Sequence, residues 1–348
     1  SRFVFSVAID PGMTSLTLSD IFEARRTIAG MASDTPLVPS AHLSARAGGE
    51  FLLKLETTQP VGAFKLRGAV NAVFKLEDTT RGVTCCSTGN HGRGVAFAAR
   101  ARGIRAVICM SSLVPQTKID GIKALGAEVR IVGRSQDEAL AESLRLCAEE
   151  GLTEISPFDD PHVIAGQGTI GLEILERRPD IATLLVPLSG GGLAGGVALA
   201  AKTIKPSVRV VGISMDRGAA MHASLAAGRP VEVEEVASLA DSLGGGIGLD
   251  NKLSFRLCRD HLDDVILVTE EDIYRALQTH YFEDRLVCEG ASAVGAAALI
   301  AGRLGDLAGP VATIITGRNV DMAVFSAIMR GADVTLGDYR ITGVPYAA

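Results

Sequence analysis

The chain has 348 residues, with 34 Lys and Arg against 40 Asp and Glu for a net charge of −6, and 47 % of it is apolar. That length predicts two domains of about 150 residues each, and the interspersed acids and bases exclude nucleic acid and membrane surfaces as partners. There is no Trp and there are four Tyr. The apolar runs are too short or too interrupted to cross a bilayer, so neither a stacking platform nor a membrane anchor is expected.

Ser1–Ile9 superficially suggests a secretory leader, but its apolar core is too short. Met13 opens a more natural sequence, so residues 1–12 are expected to be an extension outside the fold. Further on, Gln59-Pro-Val-Gly-Ala-Phe-Lys-Leu-Arg-Gly-Ala69 sets Lys65 among small and apolar neighbours. A lysine there is partly desolvated, which disfavours its ammonium form and leaves a nucleophilic amine able to form a Schiff base. The competing interpretation, a surface lysine, is the ordinary one for a lysine met alone.

Val83–Cys86 follows as a short buried strand and Gly94–Arg102 as a helix, with Ser87-Thr-Gly-Asn-His-Gly92 as the turn between them. Backbone N–H groups at a helix start, beside two hydroxyls, suit a carboxylate; plain helix capping by Ser87, Thr88 or Asn90 is the alternative. Strand and helix patterns then alternate through Ala106–Cys109, Gln116–Leu125, Val129–Val132 and Gln136–Glu150. This is the grammar of a parallel sheet.

Leu184–Ala200 reads as a buried strand, a glycine loop and an apolar helix, with the strand Arg209–Ser214 after it. Its glycines let the backbone approach a phosphate at a helix N-terminus. The loop also satisfies Gly-x-Gly-x-x-Gly at Gly190, Gly192 and Gly195, and Asp216 stands where a dinucleotide ribose wants an acid. A nicotinamide-dependent oxidoreductase is therefore the rival function. Near the C-terminus, Glu289–Gly295 opens a small-residue helix and Val311–Asp321 is a buried strand with a hydroxyl at Thr316.

The remaining titratable groups have plainer readings. Glu270, Glu271 and Asp272 cap a helix after the strand Val265–Val268. His42, His222, His261 and His280 show no ligand spacing and are expected on polar faces. Cys85, Cys86, Cys109, Cys147, Cys258 and Cys288 lack any Cys-x-x-Cys and read as reduced, mostly buried thiols. No zinc site is expected, and a cytoplasmic location is.

Taken in order, these motifs resemble the threonine dehydratase and serine racemase branch of the fold type II pyridoxal-phosphate enzymes, the tryptophan synthase β family. The resemblance runs from about Thr35 to Asp321, and Asp159–Glu173 points to the dehydratase/racemase branch. Ser87–Ala96 and Leu239–Asp250 look most like the hydroxyectoine-utilisation dehydratases.

The resemblance implies an α/β fold of two domains with three-layer parallel sheets. A small domain over residues 82–157 is inserted into a large pyridoxal-phosphate-binding domain built from 13–81 and 158–343, with 344–348 as a tail. It implies pyridoxal 5′-phosphate as cofactor, a small amino-acid substrate and a homodimer. Lys65 would hold the cofactor as a Schiff base and shuttle the α-proton, with Phe64 packed beside the ring. Asn90 would bond the 3′-oxygen, and Ser87, Thr88, Gly89, Asn90 and His91 would cradle the substrate carboxylate. Ser189, Gly190, Gly191, Gly192 and Leu193 would bind the phosphate, Thr316 would meet the ring nitrogen, and Glu289 would stand behind the cofactor. A neutral hydroxyl at that nitrogen favours elimination over transamination, which implies a dehydratase; racemisation is the alternative within the family.

Four positions depart from the family pattern. Ala63 stands where a serine is common, and Thr88 where racemases place the serine that protonates the opposite face. Arg318 replaces a usual glycine. The carboxylates that bind a divalent cation in several relatives align with Ser214 and Ala220, so no metal site is expected. Arg285 and Tyr281 are placed to reach the distal end of a substrate.

Overall fold

The computed structural model describes residues 16–76, 81–87, 89–112, 114, 116–134 and 136–347. Residues 1–12 and Thr88, each given a role above, lie outside the described residues.

The strands are β1 (Leu37–Pro39), β2 (Phe51–Leu55), β3 (Val83–Cys86), β4 (Ala106–Met110), β5 (Glu128–Ile131), β6 (Thr153–Glu154), β7 (Thr183–Pro187), β8 (Arg209–Met215), β9 (Asp264–Val268), β10 (Val311–Ile315), β11 (Val334–Leu336) and β12 (Tyr339–Ile341). Six of them form one sheet in the order β1-β2-β10-β7-β8-β9, four form another in the order β5-β4-β3-β6, and the last two make a hairpin. The four-stranded sheet is parallel throughout. In the six-stranded sheet β1 alone runs against its neighbour.

Period-two side-chain alternation makes each sheet the middle of three layers. Phe51, Leu53, Leu185, Val211 and Ile213 face helices Glu270–Phe282 and Gly290–Ile300. Leu52, Leu184, Val186, Val210 and Ile314 face helices Pro161–Arg177 and Gly192–Ile204. In the smaller sheet Val83, Cys85, Ile108 and Met110 pack on helix Asn90–Arg102, whereas Cys86, Val107 and Cys109 pack on helix Gln136–Glu150.

The helix that positions the site is Lys65–Phe74. Leu66, Ala69, Val70 and Val73 sit in the core of the four-stranded sheet, together with Ile28 and Val61. Each such aliphatic side chain contributes about 1.5–3 kcal/mol by leaving water. The small sheet takes its strands from residues 83–154, but its core reaches outside 82–157 to take in this helix. On its other side the helix crosses Pro161–Arg177 at Gly68 and Gly166. A Cβ at Gly166 would lie 2.6 Å from the Arg67 carbonyl and from Gly68 Cα, so only glycine permits the crossing. Lys65, as the first residue of this wedged helix, is fixed from both sides.

Several local expectations shift. The helix after β3 begins at Asn90 rather than Gly94, because Ser87 Oγ accepts from Gly92 N at 3.1 Å and caps the added turn from outside. Strand β5 is Glu128–Ile131 rather than Val129–Val132, and the helix from Gln116 ends at Lys123. His280 is not on a polar face: it is fully buried, and its Nδ1 is paired with Asp284 Oδ2 at 2.8 Å, one turn on. Of the cysteines, five are buried and Cys147 is half-buried, and none is joined in a disulfide.

Candidate active site

Lys65 Nζ donates to the Pro157 carbonyl at 2.5 Å and stands 5.5 Å from the Phe64 ring centroid. Burial pulls its pKa down from the ordinary lysine range to about 8, with Cys85 and Glu289 opposing the shift. A neutral amine near physiological pH is what an aldehyde carbon requires.

Beyond β3, Ser87 spends its side chain on Gly92 N, so the capping role weighed against carboxylate binding is the one its hydroxyl fills here. His91 is buried, and its Nε2 donates to the Ile155 carbonyl at 2.7 Å. That assignment leaves Nδ1 as a buried acceptor without a partner. Burial and the neighbouring Lys65 drive the His91 pKa down to about 3, so the ring is neutral. What His91 offers a carboxylate is its main-chain N–H, alongside that of Asn90 at the helix start, while Gly89 N donates to Ser87 Oγ at 3.4 Å.

The glycine loop sits at the C-terminal end of β7, where open parallel sheets receive ligands. Gly191 has φ +88°, and a Cβ there would meet Met221 Cε at 2.6 Å and Cys258 Sγ at 2.9 Å. A Cβ at Gly190 would meet the Phe158 ring at 2.3 Å. Helix Gly192–Ile204 begins its bonding with Gly195 N donating to the Gly191 carbonyl at 2.7 Å. The N–H groups of Gly192, Leu193 and Ala194 precede that bond and have no partner within the helix, the arrangement in which helix N-termini take anions.

A polar chain closes the site. Asn319 Nδ2 donates to Asn90 Oδ1 at 2.7 Å, and Asn90 Nδ2 donates to both Glu289 oxygens at 3.0 Å. Thr316 Oγ1 donates to Glu289 at 3.4 Å and shares a 3.0 Å hydrogen bond with Ser292. Burial raises the Glu289 pKa to about 7, and the Asn90 contacts restrain it.

Thus the structure brings together Phe64, Lys65, Asn90, His91, Glu289, Thr316 and the loop Ser189–Leu193. Other expected residues lie elsewhere. Tyr281 is engaged edge-on with Phe282 and Phe325, and Arg285 turns back to the Phe282 carbonyl, so both groups are engaged outside the site. Arg318 is exposed, packs over Gly62 and lines a cavity of about 230 Å³ with Arg93 and Asn319. Ser214 is buried against Met215 and Ala220 opens the next helix, so neither supplies an oxygen anion. Asp216, the acid of the dinucleotide alternative, is exposed beyond β8. Sequence reasoning missed the roles of Asn319 and Ser292, although both stand in runs singled out above. It also missed the Pro157 carbonyl, which has no side-chain signature.

The set fits an aromatic aldehyde carrying a phosphate: a low-pKa amine, an unpartnered buried acceptor, and a side-chain-free cradle at a helix N-terminus. The profile of the family described as pyridoxal-phosphate dependent enzyme matches residues 28–317. A protein of Sinorhizobium fredii named "Putative threonine dehydratase" is 52 % identical over 321 residues, covering 92 % of this chain and 97 % of that one. The L-threonine ammonia-lyase of Thermotoga maritima is 41 % identical, over 92 % of this chain and 80 % of its own. Among solved structures, maize serine racemase superposes with a TM-score of 0.86 at 34 % identity, covering 91 % of this chain and 97 % of that one. Threonine deaminase isoform 2 of Solanum lycopersicum gives 0.83 at 36 % identity, over 89 % and 86 %. This chain, with its two parallel-sheet layers around Lys65, belongs to the pyridoxal-phosphate-dependent enzymes of fold type II, among threonine dehydratase and serine racemase neighbours, and its cofactor is pyridoxal 5′-phosphate.

Proposed function

We propose that the enzyme is an ammonia-lyase that removes water from a small 3-hydroxy amino acid and releases ammonia and a 2-oxo acid. The observation that carries this is the Lys65 amine, held near pKa 8 between the helix start at Gly89–His91 and the glycine loop. When bound, pyridoxal phosphate supplies the electron sink that makes an α-proton removable.

The chain's own groups divide the remaining work. The cradle Ser189–Leu193 holds the phosphate, and Phe64 packs beside the ring. Thr316 faces the ring nitrogen as a neutral hydroxyl, backed by Ser292 and Glu289. Asn90, oriented by Asn319, approaches the 3′-oxygen. Thr88 and the N–H groups of Asn90 and His91 take the substrate carboxylate, with Ser87 and Gly89 holding the turn behind them. Lys65 accepts the α-proton, the 3-hydroxyl takes up a proton in the neighbourhood of the phosphate cradle and departs as water, and a water molecule then replaces the nitrogen to give the 2-oxo acid and ammonia. Thr88, with its extra methyl, disfavours proton return on the opposite face and so disfavours racemisation.

L-Threonine and L-serine are the default substrates, the first in keeping with the L-threonine ammonia-lyase of Thermotoga maritima. The motifs Ser87–Ala96 and Leu239–Asp250 support a narrower assignment, a hydroxylated diamino acid arising in hydroxyectoine breakdown. Six cysteines, none in a disulfide, support a reducing, cytoplasmic setting. Exposed Tyr281, Val287, Met322 and Val344 support a homodimer that covers them.

The test is detection of 2-oxo acid with L-threonine, L-serine, 3-hydroxyaspartate and hydroxyectoine-derived hydroxy amino acids. Oxo acid from at least one is expected. If none yields oxo acid but one is racemised or cleaved between Cα and Cβ, the lyase assignment fails while the cofactor assignment stands.

A further inference from the structure

The residues that hold the glycine loop from behind come from an unexpected place: the connector that leaves β6 and enters helix Pro161–Arg177. Three successive residues of that connector each touch one part of the site. The Pro157 carbonyl receives Lys65 Nζ. Phe158 packs on Gly190 and Gly192, within 2.3 and 2.9 Å of where their Cβ atoms would be. Asp159 reaches away from the cleft. Its Oδ1 accepts from Leu253 N and Ser254 N, and its Oδ2 from Lys252 N, all at 2.8 Å.

Those three amides open helix Ser254–His261, so Asp159 is its cap, supplied from 93 to 95 residues away. The capped turn has a second task. Ser254 Oγ is fully buried, accepts from Asn251 Nδ2 at 2.8 Å and donates to the Gly190 carbonyl at 2.7 Å. One turn on, the Cys258 thiol donates to the Gly191 carbonyl at 3.6 Å. Both carbonyls at the tip of the loop are thus tied to one helix on the side opposite the cleft. Across a planar peptide the N–H points opposite to the C=O. Tying these carbonyls backwards turns the N–H groups of Gly191 and Gly192 toward the cleft.

We propose that Asp159 and Ser254 are positioning residues for the cofactor phosphate: Asp159 fixes the first turn of helix Ser254–His261, and Ser254 transmits that placement to the Gly190–Gly191 peptide. This rests on reading Ser189–Leu193 as the phosphate cradle. Asp160, the next residue, is a built-in control. It also caps a helix, accepting from His162 N and Val163 N at 2.8 Å, but that helix does not bond the loop carbonyls.

The test is equilibrium binding to cofactor-stripped enzyme, followed by absorbance, with pyridoxal phosphate and with pyridoxal, which lacks the phosphate. Ser254→Ala and Asp159→Ala should each weaken pyridoxal phosphate binding by about tenfold, the scale of one lost hydrogen bond to a preorganised site. Both should capture pyridoxal as the unaltered enzyme does. The double variant should be little worse than the weaker single, since the two act in series. Asp160→Ala should lower the melting temperature comparably and leave both binding constants unchanged. Should Asp159→Ala not fold, Asp159→Asn keeps one acceptor oxygen and should bind the phosphate cofactor with intermediate strength.

Equal weakening of pyridoxal and pyridoxal phosphate would overturn the inference, as would an Asp160→Ala variant that loses cofactor like Asp159→Ala. If the unaltered enzyme bound both compounds equally, the phosphate-cradle assignment itself would fall.

Discussion

Two lysines of this chain have left bulk water and met opposite fates. Lys54 lies in the middle of β2, fully buried, with its Nζ on the Glu173 carboxylate and donating to the Thr35 carbonyl at 2.8 Å. Around it Arg67 donates to Glu56 through Nε and Nη2, both at 2.8 Å, and to Glu173 through Nη2 at 2.8 Å. Thr35 and Gln59 fill further acceptor sites on Glu56. Asp34 stands 3.7 Å from Lys54 Nζ at the outer edge of the cluster, so each cation there has a carboxylate in contact. Lys65, two residues before Arg67, has no carboxylate in contact and rests on one main-chain carbonyl. Burial acts on both, but only at Lys65 is there no paired charge to hold the ammonium form. A buried lysine becomes chemistry where its counterion is withheld, and structure where it is supplied.

The largest effect expected from this contrast is at Lys65. Lys65→Ala should lower turnover by roughly 10⁴-fold or more, because a covalent anchor has no substitute among its neighbours. The fold should survive, which circular dichroism and a melting curve will show. Retained steady-state activity would remove Lys65 from the reaction.

The opposite pattern is expected at the ion cluster. Glu173→Ala removes the one carboxylate that Lys54 and Arg67 share, leaving Glu56 on Arg67 and the more distant, exposed Asp34 on Lys54, and should cost about 3–5 kcal/mol in urea unfolding. Any activity change should follow the unfolded fraction. If Glu173→Ala unfolds at the same urea concentration as the parent, the cluster is not what holds the lysine helix against helix Pro161–Arg177.

A third prediction uses pH. The Lys65 ammonium is disfavoured, so its pKa is about 8 and the nucleophilic amine dominates above that value. Capture of pyridoxal phosphate by stripped enzyme should rise as pH increases through 8 and then level off. A rate still climbing at pH 10 would mean the amine is solvated like an ordinary surface lysine.

Much of this was legible in the sequence, for identifiable reasons. Lys65, the run Gly190–Gly192 and Thr316 stand out by residue type, as a lysine among small apolar neighbours, a glycine run before a helix and a hydroxyl at a strand end. The roles expected of them, however, came from the family resemblance. The sheets were legible because short continuous apolar runs such as Leu184–Val186, followed by Pro and Gly, fit strands covered on both faces. The ion cluster was not: Lys54, Glu56, Arg67 and Glu173 are strewn over 120 positions, and Lys54 looks like any polar residue in a strand. Nor were the acceptors that hold Lys65 and His91, since Pro157 and Ile155 contribute only main-chain oxygen. The start of helix Asn90–Arg102 was misplaced because Asn-His-Gly reads as a turn; its first turn holds only with Ser87 capping from outside. His280 was assigned to a polar face because a lone histidine gives no sign that Asp284, one turn on, will partner it.

The smallest effect expected is none. Ser214 and Ala220 offer no carboxylate where hard cations want charged oxygen, so removing divalent ions with EDTA and restoring magnesium should leave the rate flat. Saturable magnesium activation would mean that other acids supply the site.

The most direct measurement is borohydride reduction of the pyridoxal-phosphate-loaded enzyme followed by peptide mass analysis. The visible absorption should bleach, and the reduced cofactor should be found on Lys65, with Lys54 unmodified. An adduct on Lys54 or on any other lysine, or no bleaching at all, would contradict the assignment of Lys65 as the reactive amine.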